Sequence, residues 1–522
     1  MRRPDQVLPS KDLMYESGLD RLEEPVVSSH FMHRFCNDSS LDNYDSDEFR
    51  KRSQYISSAA VFDLLIPTLC NASRAFCVVC LSEIKARTQD NFQEYGLSSP
   101  RDVGAAHFIA ELLFDRNYSK DSERYYSRPL LAAEVAARIE AGLPIRMVIP
   151  ALPFKIGSPL KSRGRLPDLA EVNFLLQLYE IALTVELLYK EVQPEVPGPL
   201  AEFAVVSDGS RFSALVGERD STVSLYRLQL LRWIERLGIG DLIRIHDYRA
   251  LLSERLSASV VQRKLQISAA ARAEYAHVMW PIFDPLQAAL SLRRATSVEP
   301  DPERDNPQGR FASLLKSLVY TINYQSLIRA GRPALSEHRQ LYRELTGHLF
   351  APYVPLSSAE IPQVLREIEA GGALSDQAKE YLRQSMLKEV WEATILYMAE
   401  IKSDRELEQE PILTCLPGHI RWTIHAKRGQ LALAVPTALG LSVQAWAGAA
   451  VFKQAKKGKI KLCTLPVLAL EGAGAIPVRV EDSGEALGLG DQPLFYIYPD
   501  VCSDVHDFLA RLATSLIRRR DS

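Results

Sequence analysis

Apolar residues along this chain recur at two spacings, and the spacing changes with position. Between residues 130 and 250 helix-like and strand-like stretches alternate. LLAAEVAARIEAG repeats its apolar positions with the helical period and is closed by Gly142, a residue suited to the left-handed position that ends a helix. The short apolar run IRMVIPAL follows, then a polar loop and the long helical stretch LAEVNFLLQLYEIALTVELLYKEV. The strand FAVVSDG, the helix STVSLYRLQLLRWIERLG ending at Gly238, and the strand-like LIRIHDY complete the series. Strand, helix and strand in that order predict parallel pairing through right-handed crossovers.

Outside this stretch the pattern differs. Residues 1–50, with the run CNDSSLDNYDSDE, are polar and aperiodic and read as a flexible extension. Residues 51–101 read as an N-terminal helical segment, with an apolar helical pattern over 59–84, and a further one runs over 102–114. Residues 102–250 form the first part of an α/β core. Residues 251–410 carry long helical patterns, interrupted by a proline-bearing acidic linker at 297–310. From 411 to 522 strand patterns return in HIRWTIH, LALAV, SVQAWAGAAVF, KIKLCTLPVLAL, IPVRVED and LFYIYPD, before a final helix DVHDFLARLATSLIRRR. The predicted class is α/β: a Rossmann-like, mostly parallel sheet flanked by helices, with a helical insertion and a strand-rich C-terminal portion that completes the core.

Composition narrows the picture modestly. With 62 basic and 65 acidic side chains the net charge is −3, which does not suggest a nucleic-acid partner. Seven cysteines are too scattered for a disulfide framework. Cys77 and Cys80 form a C-x-x-C inside the apolar run AFCVVCL, where burial as small apolar residues is favoured over redox or zinc chemistry. The N-terminus is charged but lacks the apolar core of a signal peptide. Residues 431–452 contain no charged residue before Phe452, yet proline and glycine split them into strand-length pieces, so buried strands are expected rather than a membrane span. A cytoplasmic enzyme with no membrane partner is the default.

Chemistry concentrates where a strand hands over to a helix. Lys155, Lys161, Arg163 and Arg165 follow IRMVIPAL, at the place where open α/β sheets bind ligands. Such cations, with the N–H groups of a helix start, suit a phosphate; a solvated basic loop has the same composition. Pro167 and Asp168 mark the helix start, and Asp168 and Glu171 share a face of its first turn. Paired carboxylates beside cations suit acid–base work, and each also suits helix capping. Asp208 ends the strand FAVVS before Gly209, either as a turn residue or as a group presented at the strand end. In HIRWTIH a strand places His419, Arg421, Thr423 and His425 on one face, suited to gripping a carboxylate and moving protons. A polar edge strand is the alternative there.

Phosphate-loop, dinucleotide, zinc-protease and nucleophile-elbow motifs are absent, and no His-x-Asp/Glu pair points to a facial-triad iron site. A cofactor-free reaction on a phosphorylated small molecule is the natural reading.

ALPFK at 151–155, LPDLAE at 166–171, VVSDG at 205–209 with Phe212-Ser213, and RWTIH at 421–425 together resemble the isocyanide (isonitrile) synthase family of pyoverdine- and dityrosine-biosynthesis proteins, PvcA/DIT1-like. The similarity runs from about residue 102 to 499, is strongest over 148–217 and is thin across 250–410. What the resemblance implies is condensation of an amino acid, L-tyrosine or L-tryptophan, with ribulose 5-phosphate, needing neither metal nor organic cofactor. Phosphate loss and carbon–carbon cleavage would then leave the sugar's C2 as the isocyanide carbon. For that reaction, side-chain chemistry rather than the motifs assigns Lys155, Asp168, Glu171, Asp208 and His425 as catalytic groups, and Lys161, Arg163, Arg165, Ser207 and Arg421 as substrate-binding ones. A downstream iron/2-oxoglutarate oxygenase is the implied pathway partner. Where family members carry Pro-Trp-His in the following strand, this chain has Gln444-Ala445-Trp446-Ala447. A product with an N-formyl group, a phosphosugar lyase or transferase, and a non-catalytic family member acting as a partner protein are the alternatives.

Overall fold

The computed structural model describes residues 51–88, 102–120, 126–155, 161–279, 356–370, 373–407, 410–424, 429–434, 443–455, 458–481 and 492–517, with single helical positions between 311 and 345. Residues 1–50, the linker at 297–310 and His425 lie outside them. The chain divides into two compact units. The larger comprises residues 47–211, 220–255 and 412–522, and the smaller 1–46, 212–219 and 256–411.

The larger unit is built on two sheets. Strands β2 (Ile145–Pro150), β3 (Ala201–Ser207), β4 (Ile243–Asp247), β5 (Ile420–Thr423) and β6 (Leu431–Ala432) form a five-stranded sheet in the order β4-β3-β2-β5-β6. Every pairing in it is parallel. β2 and β3 are nearly continuous apolar runs, as central parallel strands covered on both faces must be. The chain steps from β2 outward to β4 on one side, then returns to place β5 against the other side of β2. The sheet order therefore reverses at β2, the position where open α/β sheets present ligand sites.

The second sheet is mixed, ordered β1-β9-β10-β7-β8-β11. Its strands are β1 (Gln54–Ile56), β7 (Ala449–Gln454), β8 (Ile460–Leu465), β9 (Ile476–Val480), β10 (Phe495–Ile497) and β11 (Leu516–Ile517). Three sequence expectations change here. SVQAWAGAAVF is not one strand: a 3-10 turn at Ala445–Ala447 precedes β7. KIKLCTLPVLAL splits at Pro466 into β8 and a short helix, Val467–Gly472, because proline ends the ladder and starts a helix well. The final helix stops at Ser515, and Leu516–Ile517 joins β8 as a parallel edge.

Helices α1 (Ile66–Thr88), α2 (Asp102–Phe114), α3 (Arg128–Glu140), α4 (Leu169–Val192), α5 (Asp220–Leu237) and α6 (Tyr248–Arg255) complete the larger unit with α10 (Val467–Gly472) and α11 (Val505–Ser515). α4 is buried along nearly its whole length, including Asn173, Gln177, Glu180 and Thr184. A helix covered on all sides is a core helix. Length and apolar composition would let α4 and the stretch Ala60–Arg87 cross a membrane, but 89% of the α4 window is inside the protein. α5 is amphipathic: Val223, Tyr226, Leu230, Trp233, Ile234 and Leu237 face inward at helical spacing. Cys77 and Cys80 are buried in α1, and burial pushes the Cys80 thiol up to about 11, as expected for an inert core cysteine.

The smaller unit's described elements include α7 (Ala258–Met279), α8 (Ile361–Ala370) and α9 (Asp376–Arg405). Lys264 of α7 is held between Glu400 and Asp404 of α9 at 3.0 and 3.2 Å.

Candidate active site

The carboxyl end of β2 leads into a strained segment. Leu152 is fully buried and has φ of 54°, alone in that among the described non-glycine residues. A bulky residue in the left-handed region costs energy and persists only where its surroundings over-determine it, commonly at functional sites. Two contacts from the end of β3 do so. Ser207 Oγ donates to the Leu152 carbonyl at 2.8 Å. Gly209 lies so close that a Cβ there would stand 1.9 Å from the Pro153 carbonyl oxygen. Gly209→Ala is therefore expected to push the 152–155 segment away, lowering stability by roughly 1–3 kcal/mol. Chemical denaturation would read this as a lower midpoint.

The segment ends on Lys155, whose side chain is 1% exposed. Its ammonium donates to Glu171 Oε1 and Oε2 at 3.0 and 2.9 Å and to the Ala445 carbonyl at 3.2 Å, and lies 3.0 Å from Asp168 Oδ2. Asp168 is the N-cap of α4, its Oδ1 accepting from the Ala170 N–H at 2.7 Å. Glu171 reaches back to accept the Asp168 N–H on Oε2 at 2.9 Å, closing a capping box. Capping and site geometry, alternatives at the sequence level, thus coexist in one pair. The entry to α4 is tied down by Gln492, which donates to the Leu166 carbonyl at 2.7 Å and accepts its N–H at 3.1 Å, and by Leu169 N–H donating to Leu494 at 3.1 Å.

Glu171 has a further donor that the sequence did not single out. Tyr226, buried on α5, donates its phenol to Glu171 Oε1 at 3.2 Å. Its only sequence signal is its place on the inward stripe of an amphipathic helix, which it shares with ordinary core residues. The Ala445 carbonyl, a backbone group, had no sequence signal.

One ammonium among two buried carboxylates leaves one negative charge in surplus. Burial is the strongest influence on Glu171 and pushes it up to about 8; the Lys155 charge opposes this and the Asp168 charge adds to it. Burial also raises Asp168, against the pull of Lys155. Lys155 stays charged: desolvation works against its ammonium, but the two carboxylates outweigh it and raise it. The three groups titrate as a unit, with Glu171 poised to hold or release a proton near neutral pH. Burial pushes Tyr226 well above the usual phenol range, so it remains a donor.

The other expected residues are placed differently. Lys161 is half-buried and burial lowers it to about 8; its carbonyl accepts from Val467 N–H at 3.1 Å. Arg163 is buried in an ion pair with Glu471 of α10 and stands beside Tyr496 of β10, so part of its charge serves the protein rather than a ligand. Arg165 is half-buried. Asp208 is half-buried between Ser207 and Gly209, the two residues that touch 152–153. Arg421, buried in β5 opposite Val148 of β2, donates to the Trp422 carbonyl. His419 precedes β5, where Glu202 and Arg146 of neighbouring strands act on it. It therefore stands at the amino end of the sheet, away from the carboxyl end that carries Lys155. Among the described residues, no three His, Cys, Asp or Glu side chains are grouped to hold a metal ion.

Fold and site together define an α/β protein with a buried carboxylate–ammonium centre at the sheet's switch point, equipped to exchange protons. Residues 135–286 match the sequence profile of the DIT1_PvcA family, described as pyoverdine/dityrosine biosynthesis protein. Over that stretch the chain is similar to the DIT1/PvcA family and, at a distance, to isonitrile synthases. It is 35% identical over 123 residues to the L-tyrosine isonitrile synthase of Pseudomonas aeruginosa, covering 23% of this chain and 35% of that protein. It is 33% identical over 127 residues to the L-tryptophan isonitrile synthase AmbI2 of Fischerella ambigua, covering 24% and 36%. Isocyanide synthase A of Aspergillus fumigatus is 30% identical over 117 residues, covering 22% and 18%. The chain thus matches about a third or less of the length of these relatives. The crystal structure of the PvcA protein from Pseudomonas aeruginosa aligns with a TM-score of 0.42 and 17% identity, over 75% of this chain and 100% of that one. Lys155, Asp168, Glu171, Asp208 and Tyr226 fall inside the profile match, and Arg421 outside it.

Proposed function

We propose that this chain is an isonitrile synthase-like enzyme that joins the amine of an L-amino acid, tyrosine or tryptophan, to the C2 carbonyl of ribulose 5-phosphate. The observation that carries this reading is the buried Lys155–Asp168–Glu171 cluster within the matched segment. Addition of an amine to a ketone gives a carbinolamine, and loss of its hydroxyl as water gives an imine. Both steps need a proton delivered to oxygen and one taken from nitrogen. Lys155, kept as an ammonium, polarises the carbonyl rather than attacking it. Glu171, with its proton affinity near neutrality, delivers and recovers the proton. Lys161 and Arg165 are assigned to the phosphate. An aromatic side chain is favoured by Trp446, half-buried next to the Ala445 carbonyl that holds Lys155 and edge-on to Phe174 of α4 at 5.7 Å.

The test is direct. Purified protein supplied with tyrosine or tryptophan and ribulose 5-phosphate labelled with 13C at C2 is expected to yield a product with an isocyanide infrared band and the label in that carbon. A labelled N-formyl product would instead support the formyl-forming alternative. Failure to consume either substrate across a panel of amino acids would sink both.

A further inference from the structure

We propose that Tyr226 is the positioning residue of this site, its phenol holding the Glu171 carboxyl in place from a helix other than the one that carries Asp168 and Glu171. The inference rests on reading that cluster as the reactive centre. Glu171 accepts four hydrogen bonds from three donors: Lys155 on both oxygens, the Asp168 N–H on Oε2 and Tyr226 on Oε1. The first three come from its own helix start and the loop after β2. Only Tyr226 comes from a separate helix, α5.

A carboxyl held both by the local chain and by a separate helix is confined to one orientation. Freed of the phenol, Oε1 keeps Lys155 as its sole donor among these contacts. Hydrogen bonds donated to a carboxylate favour its charged form, so loss of one raises its proton affinity. The charged and titratable groups acting on Glu171 are Lys155 from the β2 loop, Asp168 on its own helix and Tyr226 from α5. Beyond Asp168 stands Tyr496 of β10, on which Asp168, Arg163 and Arg479 act. Apart from Tyr226 itself, none of these groups is changed by the substitution, so Tyr226→Phe isolates the contact while keeping the ring that fills the core.

Tyr226→Phe is expected to move the midpoint of the Glu171 titration upward by about one pH unit, the size expected for one hydrogen bond to a charged group. It is read from stability against pH, with Glu171→Gln as the blank, and needs no turnover. If the proposed reaction is correct, the pH limb of kcat/KM assigned to Glu171 moves the same way. A uniform loss of stability at every pH, with the midpoint unmoved, would overturn the proposal and leave Tyr226 a packing residue. Should the phenylalanine variant not fold, 3-fluorotyrosine at 226 keeps shape and donor while strengthening the donation. It is expected to move the midpoint downward, and an unmoved midpoint there would equally overturn the proposal. A moved midpoint with no isocyanide formed would leave the positioning role standing and count against the reaction alone.

Discussion

Lys155→Met should abolish turnover and leave a protein markedly less stable than the native one. The side chain is fully enclosed, and its ammonium is shared by Glu171, Asp168 and the Ala445 carbonyl. Removing one partner of a buried ion pair costs about 3–5 kcal/mol, because the remaining charge has neither water nor a counter-ion. Here two carboxylates stay behind. Both must then be protonated or draw in water, and the cost should grow as pH rises. Chemical denaturation at pH 6 and pH 8 measures it. The double variant Lys155→Met/Glu171→Gln should recover part of the stability, since it removes one orphaned charge, but none of the activity. A single variant as stable as the native protein at both pH values would mean that the ammonium is not held in this cluster.

Glu171→Gln should lower activity by roughly 10²–10⁴-fold, the range typical for removal of a positioned acid–base group. Its effect on stability should depend on pH in a stated direction. Glu171 binds its proton more tightly in the folded protein, at about 8, than a carboxyl does in an unfolded chain, so the folded state holds more protons between those limits. The group's favourable contribution is complete below the unfolded value of about 4.3 and disappears as pH rises through 8. The native protein should therefore lose stability across the neutral range, and the glutamine variant should show one proton's worth less slope. Parallel profiles would indicate that Glu171 is ionised throughout and acts only as a counter-ion for Lys155.

Much of the architecture was legible in the alternation between residues 130 and 250. Each strand and helix there is coded by contiguous residues, and short crossovers between parallel strands leave little topological freedom. The candidate site was legible in part for the same reason. Lys155, Asp168 and Glu171 lie within 17 residues around one strand–helix junction, so their convergence is nearly local. RWTIH was harder to read: its alternation is that of a strand with a polar face, yet all four residues of β5 are buried and His419 falls before it. Periodicity gives a side chain's parity, but which face is solvated depends on what later packs against it.

The amino-acid sequence alone determined the α/β class, the capping box that starts α4, and the grouping of cations and carboxylates after β2. It could do so because propensity, capping and period act over a few residues. Only the tertiary structure decided that Arg163 is drawn to Glu471, some three hundred residues away, and that Tyr226 and the Ala445 carbonyl meet Glu171 and Lys155. It alone brought Gly209 against Pro153, where Leu152 is held in a left-handed backbone. Contacts between distant elements are selected by the packing of the whole core, and no short stretch of chain encodes which donor will face which acceptor.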